Sequence, residues 1–307
     1  EVMMRFTADE YALVALSNSG YRIDPLGRLV LAPLDGSSAA RDLATPTGRP
    51  SYVWPLEHAP RAGRALFGLF DPNASENGLF AADLAGSAPV PLGSPQHALS
   101  TVTGLALRAA DELALFVSDQ AAGGRQELFA VPADGSRALR RLHPALPLGG
   151  DVDGAFRVSP DGARVVFRAD AELDEVFELY VTRVADGVVT KLSGSMVAGG
   201  DVALPFENEA SFWISPDGAR VVFLADRELD GVTELWSVPL DGSAAPVRLH
   251  APLADTRDAV GAARFTPDGA RVVFAAELGA EGVFELLSAP ADGGGPTLVL
   301  SAPFPPG

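Results

Sequence analysis

The chain of 307 residues carries 40 acidic against 23 basic side chains, a formal net charge of −17, and a sequence pI near 4.5. Nucleic acid is bound by Lys and Arg stripes that offset its dense negative charge, so this balance excludes it as an expected partner. The absence of cysteine excludes disulfides, thiolate metal sites and a cysteine nucleophile, and no apolar run is long enough to span a bilayer.

The first predicted strand is VMMRFT at Val2–Thr7, followed by ADEYALVA and GRLVLAPLDGS. GRALF with NGLFAADLAGS comes next, then ALRAADELALF with QELFAVPADGS. From Ala155 the pattern is clearest. AFRVS, ARVVFRAD, FELYVTRV and GVVTKLS are four short apolar segments, with Asp161-Gly162 and Asp186-Gly187 inside the first and last pairs. Asp-Gly between β-branched and aromatic residues signals a hairpin, because glycine takes positive φ without a Cβ clash. SPDGARVVF at Ser159–Phe167 recurs at Ser215–Phe223 and, as TPDGARVVF, at Thr266–Phe274. The last predicted strand is TLVLSA at Thr297–Ala302.

Aligning the residue that closes each first hairpin gives Ala15, Phe67, Phe116, Phe167, Phe223 and Phe274, spaced 52, 49, 51, 56 and 51 residues apart. A chain that repeats one strand–turn–strand unit is built by stacking that unit. No apolar stripe at helical spacing interrupts it, and Gly 32 with Pro 25 punctuate the chain too often for long helices. The predicted fold is all-β: a six-bladed β-propeller with four antiparallel strands per blade, as one domain over 1–307. The approximate blades are 1–45, 46–95, 96–145, 146–195, 196–252 and 253–307. Apolar residues on both strand faces favour sheets packed on each side over an open solenoid. Each blade is expected to be contiguous in sequence, with closure by packing rather than by an exchanged strand.

The sentence S/T-P-D-G-x-x-V-V-F, then an acidic loop, E-L-Y/W/L and D-G, resembles the repeat of TolB-like propellers. The likeness runs through the whole chain, strongest from Ala155 to Gly294 and weakest before Leu105, where Pro-Asp-Gly has become Ala-Asp-Glu at Ala8–Glu10. It implies a fold shared by periplasmic protein-binding propellers, surface proteins and the propeller halves of serine peptidases, so it does not choose an activity. It also implies an extracytoplasmic setting: periplasmic, secreted or surface-attached. Starting at Glu1 rather than at a methionine, the chain reads as a mature or excised segment.

In a four-stranded meander the tight turns between the first two and last two strands share one end. The longer connections share the other, and loops on a rigid scaffold are the usual carriers of binding residues. Three positions beyond the aligned phenylalanine stand Asp119, Asp170, Asp226 and Glu277, with Glu172, Asp174, Glu175, Glu228 and Asp230 in the same loops. The longest connection, Gly199–Ala210, holds Phe206, Glu207, Asn208 and Glu209 and leads to Trp213. Together they predict an acidic rim with one protruding loop, where Phe206 and Trp213 anchor a protein or peptide partner. The plain alternative is a solvated loop set that keeps the protein soluble. Carboxylates ~10 Å apart repel by only about 0.4 kcal/mol in water, so the rim does not by itself demand a metal.

Glu127, Glu178, Glu234 and Glu285 open the third strand of four units and are expected to accept loop hydrogen bonds or pair with an arginine of the next blade. His143 and His250 share a place in RLH, which marks a repeat position rather than a tuned base. The histidines His58 and His97 show no such pairing, and Trp54, Trp213 and Trp236 fall in predicted strands. There is no G-x-S-x-G elbow and no H-E-x-x-H helix, so the expected role is a non-catalytic interaction module without a cofactor. One enzymatic alternative comes from resemblance to calcium-dependent propeller lactonases, which hold the metal with inner-strand Glu, Asn and Asp. The corresponding positions here include Asp153 and Glu209, but also Val102 and Val260, so a full ligand set is not evident.

Overall fold

The computed structural model describes residues 2–7, 11–16, 28–44, 52–70, 77–93, 100–121, 124–203, 211–252, 263–277 and 283–301. They form two compact units, Glu1–His143 with Asp151–Gly154, and Pro144–Gly150 with Ala155–Gly307. The first sheets are β1 (Val2–Phe6), β2 (Tyr11–Leu16), β3 (Arg28–Pro33) and β4 (Arg41–Ala44); β5 (Tyr52–Ala59), β6 (Arg64–Phe70), β7 (Gly78–Asp83) and β8 (Val90–Pro91); β9 (Val102–Arg108), β10 (Leu113–Ser118), β11 (Glu127–Pro132) and β12 (Arg140–Arg141). The later ones are β13 (Val152–Val158), β14 (Arg164–Ala169), β15 (Glu178–Arg183) and β16 (Val189–Lys191); β17 (Phe212–Ile214), β18 (Arg220–Ala225), β19 (Glu234–Pro239) and β20 (Val247–Arg248); β21 (Arg264–Phe265), β22 (Arg271–Ala276), β23 (Glu285–Pro290) and β24 (Leu298–Val299).

Among the described residues these make six sheets, each of four strands in sequence order. Among the described residues the first and last sheets each draw their four strands from one continuous stretch. No helix among the described residues is long and apolar enough to cross a membrane.

The repeated hairpin has a local cause. In SPDG the Ser159 hydroxyl donates to Asp161 Oδ1 at 2.6 Å and accepts the Arg164 amide at 2.9 Å, while Asp161 Oδ1 accepts the Ala163 amide at 2.9 Å. Gly162 completes the turn at φ +68°, where a Cβ would be strained. Ser215 with Asp217, and Thr266 with Asp268, repeat the arrangement. The aligned phenylalanine then meets an aromatic ring across the second and third strands: Phe67 with Phe80, Phe116 with Phe129, Phe167 with Tyr180, and Phe223 opposite Trp236. Each such buried phenylalanine contributes about 1.5–3 kcal/mol through the area it removes from water.

The second and third strands of the sheets are largely apolar on both faces because neighbouring sheets share their cores. Leu13, Leu29, Val53 and Phe67 join the first and second sheets, and Leu66, Leu79, Phe116 and Phe129 the second and third. In the other unit Val166, Leu179, Phe212 and Phe223 join the fourth and fifth, and Val222, Leu235, Phe274 and Leu287 the fifth and sixth.

Candidate functional site

The loops between second and third strands were expected to project their carboxylates outward, but the structure turns the leading ones inward. Asp119 Oδ2 accepts the Gly124 amide at 3.4 Å, Asp170 Oδ2 the Glu175 amide at 3.0 Å and Asp226 Oδ2 the Gly231 amide at 2.9 Å. The partner lies five residues on in every case, so each aspartate closes its own loop. Asp119 Oδ1 also accepts the Thr101 amide at 2.6 Å, and Asp226 Oδ1 that of Asp201. Asp119, Asp170 and Glu277 are buried and Asp226 is half-buried. An ionised carboxylate leaves water only where amides replace its hydration, and here loop amides do so.

The connections that enter the fourth and fifth sheets complete this interlock, through a repeated GGDV at Gly149–Val152 and Gly199–Val202 that the sequence reading passed over. Asp151 Oδ1 accepts the Gln126 amide at 2.6 Å and the Val152 amide donates to the Gln126 carbonyl at 2.9 Å. Asp201 and Val202 treat Phe177 in the same way, at 2.5 and 2.8 Å. A Cβ on Gly200 would stand 2.6 Å from the Asp226 carbonyl oxygen, so only glycine allows this approach. Gly149 lies against the Asp174 carboxylate and Gly199 against that of Asp230. Burial raises the Asp201 pKa above the ordinary aspartate value, with Asp226 and Asp230 adding to the rise while the Phe177 amide and Arg168 oppose it. The buried Arg168 donates to the Val202 carbonyl at 2.8 Å and lies 3.9 Å over the Phe177 ring.

Three of the recurrent glutamates of the third strand, Glu127, Glu178 and Glu234, pair with the outer strand of their own sheet. Arg141 reaches Glu127 at 2.8 Å, Lys191 pairs with Glu178, and Arg248 reaches Glu234 at 3.2 Å. Antiparallel pairing of third and outer strands brings these positions together. Two residues beyond the cation stand Ser193 and His250, whose side chains accept the Leu179 and Leu235 amides at 3.2 and 3.1 Å. His250 Nδ1 lies 2.7 Å from the Ala251 carbonyl oxygen. Burial lowers its pKa below the ordinary histidine value, although the Ala251 carbonyl and Glu234 oppose the shift.

What remains exposed is a different set. Leu148, Leu173 and Leu229 are 92%, 63% and 49% exposed. The last two sit in a repeated Glu-Leu-Asp at Glu172–Asp174 and Glu228–Asp230. Lys191 steadies the first tip through Glu172 at 2.9 Å, and Arg248 the second through Glu228 at 2.8 Å. Trp213 is half-buried against the core that holds Val222, Phe274 and Leu287, with the Arg264 guanidinium 5.6 Å from its ring, so it packs rather than protrudes. Trp236 is buried and donates to the Ala225 carbonyl at 3.2 Å. Phe206, Glu207, Asn208, Glu209, His97 and Val260 lie outside the described residues, as does the Trp54 side chain. Asp153 is half-exposed on β13. Among the described residues no three His, Asp or Glu side chains group as metal ligands would.

No protein-family model matches the chain, and no curated protein matches it. Solved structures do. TolB from Acinetobacter baumannii is 16% identical over 93% of this chain and 63% of its own, with a TM-score of 0.42. A prolyl endopeptidase is 11% identical over 99% of this chain and 43% of its own, at 0.54. A puromycin-hydrolyzing peptidase from Mycobacterium tuberculosis is 16% identical over 97% and 44%, at 0.52. The chain thus spans less than two thirds of that TolB and less than half of each peptidase. At 11% and 16% identity the likeness to the two peptidases is one of fold alone, and in this chain that fold is an all-β, six-bladed β-propeller with four antiparallel strands in each blade.

Proposed function

We propose that the protein is a non-catalytic interaction module that binds a basic, partly apolar protein segment through the leucine-tipped loops of its fourth and fifth sheets. The observation that carries this reading is the exposure of Leu173 and Leu229 in two copies of one acidic tip. A solvated loop has no use for a leucine held outward twice, whereas a partner that covers one gains about 1.5–3 kcal/mol. The flanking Glu172, Asp174, Glu228 and Asp230 lie in a chain of net charge −17, a field that steers a Lys- or Arg-bearing segment towards the tips. TolB-like repeats in the sequence support an extracytoplasmic setting for such a module.

Selection of a displayed peptide library on the intact chain tests the reading. Enriched peptides are expected to combine basic with apolar residues and to lose about tenfold or more in affinity for a Leu173→Asp, Leu229→Asp variant. Peptides of that kind that bind the variant as tightly as the parent would sink it.

A further inference from the structure

Three departures from the repeat converge on one cleft at the opposite, tight-turn end of the fourth sheet. The third strand carries Ser237 in β19 and Ser288 in β23, but Val181 at the matching place in β15. It closes on Pro132, Pro239 and Pro290 in β11, β19 and β23, but on Arg183 in β15. The outer strand has Val247 and Leu298 where β16 has Thr190.

The first change removes the hydroxyl that anchors an arginine. Arg220 Nε donates to the Ser237 hydroxyl at 2.9 Å and Arg271 Nε to that of Ser288 at 2.7 Å. Valine offers no acceptor, and the guanidinium of the equivalent Arg164 makes no hydrogen bond among the described residues. Instead it lines a cavity of about 200 Å³ with Val181, Arg183, Val188, Thr190 and Asp241. Arg183 engages Asp186 at 2.7 Å with one side of its fork, which leaves donors over, since a guanidinium has five. Thr190 adds a hydroxyl. The Asp241 carboxylate, which also lines the cleft, accepts the Ser243 amide at 3.0 Å; hydrogen bonds from Ser243, with the Arg164 charge adding, hold its pKa below the ordinary aspartate value.

We infer that this cleft binds a small oxyanion, a carboxylate or a phosphate, between the Arg164 and Arg183 guanidiniums and the Thr190 hydroxyl. Planar forks suit bidentate recognition of either anion. The binding surface proposed above lies at the other end of the strands, so the two sites are independent.

Calorimetric titration of the intact chain at low ionic strength, once with inorganic phosphate and once with succinate, tests the inference. Saturable one-site binding of either anion is expected, and the anion that binds identifies the class. Arg164→Gln should weaken it by about tenfold or more. Val181→Ser should weaken it as well, because it supplies the anchor that holds Arg220 in the fifth sheet. It also keeps the guanidinium, which preserves the test if Arg164→Gln does not fold. No saturable binding of either anion, or binding unaltered by Val181→Ser in a protein that melts like the parent, overturns the proposal.

Discussion

Asp201 and Asp226 hold each other's backbone: the Asp226 carboxylate accepts the Asp201 amide, and the Asp226 amide donates to the Asp201 carbonyl at 3.1 Å. One connection and one loop are thereby fixed as a pair, and Gly231 closes the same carboxylate from the other side. Asp226→Ala is expected to cost about 2 kcal/mol, the loss of two charge-assisted hydrogen bonds offset by relief of repulsion with Asp201 and Asp230. Equilibrium denaturation in urea reads this directly. A cost within ±0.5 kcal/mol, the range of an ordinary surface substitution, would show that the interlock is incidental.

Two glutamates sit in left-handed backbone, Glu112 at φ +51° and Glu175 at φ +64°, a strain of about 1 kcal/mol or more for a residue with a Cβ. They should respond oppositely to glycine. The Glu175 amide serves Asp170, and the matching loop positions are Gly124 and Gly231. Glu175→Gly should therefore stabilise by about 0.5–1 kcal/mol. The buried Glu112 carboxylate instead accepts the Arg61 and Ala62 amides at 2.5 and 2.7 Å, tying two turns together. Glu112→Gly removes that tie and should destabilise by about 1–2 kcal/mol net. Thermal melts that shift in the same direction for both variants would contradict this account.

Lys191, the single lysine of the chain, occupies the place of Arg141 and Arg248 and faces the buried Glu178. Lys191→Arg should be tolerated. Lys191→Met should cost about 2 kcal/mol, below the usual figure for breaking a buried pair because Lys191 is partly exposed and Tyr180 still donates to Glu178 at 2.7 Å. Chemical denaturation of the two variants side by side distinguishes charge from packing.

Acid should weaken the fold in two stages. His250 is held below its ordinary pKa of 6.5, so the folded state binds fewer protons than the unfolded state. Its contribution is full above 6.5 and is lost as pH falls from there towards the folded value. His250→Ser copies the Ser193 arrangement and should abolish that first stage. Asp161, Asp217 and Asp268 are held below 3.8, chiefly by the hydroxyls of Ser159, Ser215 and Thr266. Their contribution is present above 3.8 and disappears only as pH drops through the lowered values. Stability measured against pH for parent and His250→Ser should diverge below pH 6.5, and superimposable curves would refute the assignment.

Local chemistry was legible in the sequence, and chemistry between loops was not. Ser159, Asp161, Gly162 and Arg164 lie within six residues, so their turn follows from residue type alone. The partners of Asp201 are Phe177 and Asp226, about 25 residues away on either side, and only the folded loops bring them together. A signal existed in the second copy of Gly-Gly-Asp-Val at Gly149, ahead of the fourth sheet. Residue type alone left Glu178 either a loop hydrogen bond or an arginine of the next blade, and its pairing with Lys191 follows only from the antiparallel return of the outer strand, which sets Tyr180 opposite Lys191. Leu173 and Leu229 were hidden by their charged neighbours, which had drawn the reading towards the carboxylates alone.

Hydrogen–deuterium exchange of the intact chain, with and without a selected basic–apolar peptide, tests the central claim most directly. New protection should appear over residues 171–176 and 227–232, and mixing with the Leu173→Asp, Leu229→Asp variant should leave both segments exchanging as in the free protein. Protection confined to the tight-turn end, at Ser159–Arg164 or Ser215–Arg220, would contradict it.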